Sequence, residues 1–175
     1  IFKNLQIELV SKNPGPISYF NDHHEIRNYI EASSLMIEHN REKSTRSEQL
    51  VNQIIAKNPD AGPAYVLLAG LQWQKAIWGW TDDKAATVQA GRQAAGKAYS
   101  IMQDGDSLLQ LANLDIVEGK YDAALNNAEQ AVMLSPSNGF TNAMTGIISS
   151  RSGAYDKAIN YFSNAMRLEP YYPLW

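Results

Sequence analysis

Residues 91–98 read GRQAAGKA, one side chain short of the phosphate-cradling pattern G-x-x-x-x-G-K-[ST]. That chemistry needs a hydroxyl for magnesium and a strand leading into the loop. Here Ala98 stands at the hydroxyl position, and the preceding AATVQA reads as helix. The spacing instead makes Ala90, Gly91, Ala94, Ala95 and Ala98 a small-residue packing face, with no nucleotide expected. HHE at 23–25 raises metal binding. Adjacent His23 and His24 point apart on a helix, no H-E-x-x-H follows, and a solvated first turn is the expectation. Asp82 and Asp83 are paired carboxylates, but before an apolar run they read as charges favoured by a helix N-terminus, with Thr81 as the N-cap. No nucleophile–base arrangement can be assembled. The chain is therefore read as non-enzymatic, without cofactor or metal.

The remaining chemistry-bearing residues are aromatic. Trp73, Trp78 and Trp80 fall within eight residues. Trp78 and Trp80 are expected to fold back and be buried, because large aromatics dominate core burial. Trp73 falls on a helix and is expected to face a binding surface.

The elements that must position these residues announce themselves by repetition. GKYDAALNNAEQAVMLSP, 119–136, returns as GAYDKAINYFSNAMRLEP, 153–170, so Gly119, Tyr121, Asp122, Ala124, Ala131 and Pro136 each recur 34 residues later. Such fixed-period similarity signals stacked helix pairs. A first helix over 107–118 carries Leu108, Leu111, Ala112 and Ile116 at helical spacing, and Gly119 ends it. A second over 121–134 carries Ala124, Leu125, Ala128, Ala131 and Val132, and Pro136 stops it. Upstream, 64–77 and 83–102 read as another pair separated by the longer WGWTDD. Pro59 closes a degenerate unit over 28–59.

These marks resemble the tetratricopeptide repeat. Gly146, Gly153, Tyr155, Ala158, Phe162, Ala165 and Pro170 fit its pattern, as do Ala112, Gly119, Tyr121, Ala124, Ala131 and Pro136. Taken together, AYVLLAGLQWQKAIWGWTDD, GKYDAALNNAEQAVMLSPSNG and AMRLEPYYPLW resemble the repeat region that follows bacterial class III adenylate/guanylate cyclase domains and some winged-helix transcription regulators. SSLMIEHNREKSTRSEQL departs from the pattern by lacking its small residues. The resemblance implies an all-α, right-handed superhelical solenoid of antiparallel helix pairs. Its expected segments are 1–27 as the end of a preceding domain or a cap, 28–60 as a degenerate unit, and 61–103 as a unit with the Trp-rich insert. Complete units follow at 104–137 and 138–171, and 172–175 begin a further one. FKNLQIELV resembles the helix closing the domain before such repeats. Ile1 and Trp175 read as boundaries within a larger protein.

The concave groove of such an array is its usual binding surface. Repeat register assigns to it Tyr29, Met36 and His39, then Trp73 and Gln74, then Leu109, Asn113 and Ile116, and finally Phe140, Ile147 and Arg151. The expected partner is a protein or peptide, including another segment of the same polypeptide, held by a regulatory scaffold. The rival readings are a small-molecule sensor controlling an attached output domain and a homodimerisation module. Composition narrows the partners. The 175 residues carry a formal charge of −3, which gives no electrostatic footprint for nucleic acid or an anionic membrane. No apolar run reaches the ~20 residues a bilayer requires. There is no cysteine, hence no disulfide. A cytoplasmic location is the expectation, with a periplasmic part of a membrane-bound regulator as the alternative.

Overall fold

The computed structural model describes residues 15–171. Among them every regular element is helical. A 3-10 turn, Pro16–Tyr19, precedes α1 (His23–Met36), α2 (Arg41–Lys57), α3 (Gly62–Trp78) and α4 (Lys84–Met102). α5 (Gly105–Val117), α6 (Tyr121–Leu134), α7 (Gly139–Arg151) and α8 (Tyr155–Leu168) follow. The chain divides into two compact units, residues 1–64 and 65–175. The expected FKNLQIELV helix and the 172–175 segment lie outside the described residues. No helix among the described residues is long and apolar enough to cross a membrane.

In the first unit α1 packs on α2. Asp22 caps α1 by accepting from the backbone N–H of His24 and Glu25, and Asn40 caps α2 in the same way. α1 thus begins inside the stretch expected to precede the repeats. Polar anchors fix the pair. Buried Glu25 accepts from the Asn21 backbone N–H at 2.9 Å and from Asn58 Nδ2 at 3.0 Å, while Asn58 Nδ2 also reaches the Tyr19 carbonyl at 2.9 Å. Ser47 Oγ donates to the Ala32 carbonyl at 2.7 Å. Small side chains do occur here, since Ala32, Ser44 and Ser47 are buried and let the helices approach.

In the second unit the helices pack consecutively: α5 on α4, α6 on α5, α7 on α6 and α8 on α7, with α7 also touching α5. One turn recurs. Trp80 N–H donates to the Lys75 carbonyl around Gly79 at φ +68°, Lys120 to Asp115 around Gly119 at φ +73°, and Ala154 to Ser149 around Gly153 at φ +78°. Each closes a helix through a six-to-one bond with glycine in the left-handed region, where a Cβ would be strained. α3, α5 and α7 therefore end alike. α5 and α7 also begin alike, with Asp104 and Asn138 as caps in matching register.

Closeness is set by small residues. Ala124, Ala128 and Ala131 of α6 are fully buried with Leu108, Leu109, Ala112 and Ile148. On α4, Gly91, Ala94, Ala95 and Ala98 are buried. Ala90 is exposed, contrary to its expected place on that face, because it lies about 90° round the helix from the stripe's centre. A Cβ on Gly105 would stand 2.8 Å from the Ala131 carbonyl oxygen.

The Trp-rich insert is not a loop alone. Twelve residues separate Gly79 from buried Gly91, whereas five separate Gly119 from buried Ala124, a surplus of seven. Part of it lengthens α4, which has 19 residues against 14 in α6 and 14 in α8. The cap of α4 is Asp83, whose carboxylate accepts from Ala86 N–H at 2.9 Å. Thr81, expected in that role, instead shares a 2.7 Å hydrogen bond with Thr87 Oγ1.

Candidate functional site

The residues proposed for a binding surface separate by burial. Trp73, Asn113 and Ile147 each stand six residues before the glycine that closes their helix, so they hold the same position on α3, α5 and α7. Trp73 is half-buried against Ala76, Val88 and Leu114, beside Val117. Its indole N–H is buried with no hydrogen-bond acceptor among the described residues. Asn113 is only 4 % exposed, and Ile147 is half-buried. One turn further on, Ile116 is half-buried against the α5–α6 core. Phe140 and Arg151 are exposed at opposite ends of α7.

Two assigned residues are not surface groups. Leu109 is 1 % exposed and belongs to the core shared by α5, α6 and α7. Gln74 is likewise buried. The remaining three lie in the first unit. Tyr29 and Met36 are half-buried on α1, with the Tyr29 ring 4.9 Å from that of Phe20. His39 is exposed in the turn after α1, at φ +48°.

The insert tryptophans overturn the burial expected of them. Trp78 is 56 % exposed and Trp80 half-buried, their rings stacked at 6.3 Å and 22°. The glycine turn is the cause. It carries Trp78, at the last helical position, past the end of the helix packing, and Trp80 covers one face of its ring.

The strongest electrostatic constellation lies elsewhere. Asp115 is buried on α5, where it accepts from the Arg92 guanidinium of α4 and, at 2.8 Å, from Asn127 Nδ2 of α6. Arg92 also binds Glu118, with Nε donating at 3.0 Å, and Lys120 Nζ reaches the same carboxylate at 3.1 Å. Partial burial pulls the Arg92 pKa down, and the hydrogen bonds to Asp115 and Glu118 outweigh it and raise it. The hydrogen bond from Arg92 holds the Glu118 carboxyl below its ordinary value, helped by Lys120. This cluster ties three successive helices together, and every charge in it is paired, so it is a clamp. The sequence carried a signal for it. Asp115 continues the spacing of Leu108, Leu111 and Ala112, and a carboxylate on an apolar stripe requires a cation.

The other chemical candidates have structural settings. The near-phosphate loop is continuous helix inside α4. His23 and His24 are exposed in the first turn of α1, and His24 Nδ1 contacts Arg27 at 2.6 Å. Among the described residues no three His, Cys, Asp or Glu side chains come close enough to hold a metal ion.

Compared with known protein families and with curated proteins, the chain matches none.

Proposed function

We propose that the helix pairs stack as a right-handed, tetratricopeptide-type superhelix, and that the face carrying Trp73, Asn113 and Ile147 binds an extended peptide or partner domain. On this reading the chain is a non-catalytic regulatory scaffold, part of a larger signalling protein of the cyclase or winged-helix regulator kind. The observation that carries it is the Trp73 indole N–H, buried without an acceptor at a position that recurs on three helices. Leaving such a donor unsatisfied costs about 1–3 kcal/mol, which an acceptor on a bound chain recovers. Half-buried Ile116 and Ile147 beside it supply apolar surface, and Arg151 a terminal charge.

The test is an affinity pull-down from the source cell, comparing wild type with a Trp73→Ala/Asn113→Ala/Arg151→Ala variant that keeps its helical circular dichroism. A partner captured by wild type and lost in the variant supports a groove-binding adaptor. Equal capture by both sinks that reading. Capture by neither shifts the weight to an internal target or a sensed ligand, which titration of tryptophan fluorescence would then detect.

A further inference from the structure

The outer face of α8 is apolar and uncovered. Tyr155, Ile159 and Met166 are exposed, Ile159 at 64 %, and half-buried Phe162 completes the row. The steps of four, three and four residues keep all four on one stripe of the helix. Thirty-four residues earlier the same positions are Tyr121, Leu125, Ala128 and Val132 of α6, and there a helix is docked. α7 sits on that stripe, with Thr145 Oγ1 donating to the Ala128 carbonyl at 3.2 Å and Ser152 Oγ to the Tyr121 carbonyl at 3.3 Å. Leu125 and Val132 are half-buried there, while Ile159 and Met166 are exposed. The stripe on α8 is thus a helix-docking face of a kind this fold already uses.

Its spacing points to one occupant. Reversed end to end, the row reads the same: Met166 faces Tyr155, and Phe162 faces Ile159. An antiparallel copy of α8 therefore meets it in register about a two-fold axis between residues 160 and 161. The charges agree with that direction. Asp156 stands at one end and Arg167 at the other, and neither has an opposite charge within 4 Å among the described residues. Antiparallel pairing brings the Asp156 end of one copy beside the Arg167 end of the other, a self-complementary arrangement of the kind two-fold dimers require.

We propose that this face is a homodimer interface in which α8 pairs antiparallel with α8 of a second copy. The interface is separate from the Trp73 face and does not depend on its function.

Sedimentation equilibrium of the full chain across about 1–300 µM tests it. The expected result is a concentration-dependent rise from 19.5 kDa to twice that mass. Ile159→Asp, at an exposed position, is expected to weaken association more than about tenfold with unchanged circular dichroism. Orientation is read by cross-linking, since the chain has no cysteine of its own. A Tyr155→Cys/Met166→Cys variant should oxidise to a covalent dimer. Eleven residues of helix hold the two thiols about 16 Å apart, too far for an internal bridge. Tyr155→Cys alone should stay monomeric under the same oxidation. A single 19.5 kDa species at every concentration overturns the proposal, as does association untouched by Ile159→Asp. Cross-linking through Tyr155→Cys alone overturns the antiparallel pairing.

Discussion

Gly146 of α7 lies directly beneath the ring of Phe162 of α8, so close that a Cβ there would stand 2.8 Å from two ring carbons. Alanine normally stabilises a helix interior relative to glycine by up to about 1 kcal/mol. Here contact overrides propensity. Gly146→Ala is expected to destabilise by about 1–3 kcal/mol, read as a lower urea midpoint, because the ring or the helix must move. Gly96→Ala is the control. Gly96 lies exposed in α4 with nothing within 4 Å of its ideal Cβ, and its substitution should stabilise by about 0.5–1 kcal/mol.

The Arg92–Asp115 pair makes a second expectation. Asp115→Ala strands a partly buried guanidinium and the Asn127 amide, and should cost about 3–5 kcal/mol in urea denaturation. Replacing both partners, as Arg92→Met/Asp115→Leu, should recover most of that, since an apolar pair of similar volume has no charge left to desolvate.

The pH dependence follows from Glu118. Its carboxyl is held below the ordinary 4.5, chiefly by Arg92. A carboxyl lowered by folding contributes stability above that value and loses it as the pH falls through the lowered one. Between pH 6 and 3, wild type should lose more stability than Glu118→Gln, while above pH 5 the difference between them should stay constant.

Trp73→Phe separates stability from binding. The substitution removes a buried donor that has no partner in the free protein. The folded chain should be no less stable, or more stable by up to about 1 kcal/mol in thermal denaturation. Affinity for a partner captured through this face should fall, because the hydrogen bond reserved for it is gone.

Much of the architecture was legible in the sequence because glycine and proline punctuate it. Gly119 and Gly153 marked the left-handed helix ends, and the helices expected at 64–77, 83–102, 107–118 and 121–134 form within a few residues of those bounds. The alanine stripe of α6 was readable because only small residues recur there at helical spacing. Other features depend on tertiary placement. Nothing local distinguishes Leu109, buried in the core, from half-buried Ile116, since both lie on the apolar side of α5. Trp78 was expected inside on size alone, and a glycine turn carried it out. Asp83 rather than Thr81 caps α4 because the helix starts one residue past the aspartate pair, a matter of where the chain can turn.

The surplus of seven residues between Gly79 and Gly91 has a consequence of phase. Seven residues of α-helix amount to almost two whole turns, drifting only about 20° from closure. The insert therefore lengthens the unit while returning Gly91, Ala95 and Ala98 to the azimuth that Ala124, Ala128 and Ala131 hold on α6. Length in this unit is quantised: additions or losses in steps of seven keep the small stripe aimed at its neighbours. A change of two or five would rotate Arg92 away from Asp115 and turn the small stripe toward solvent.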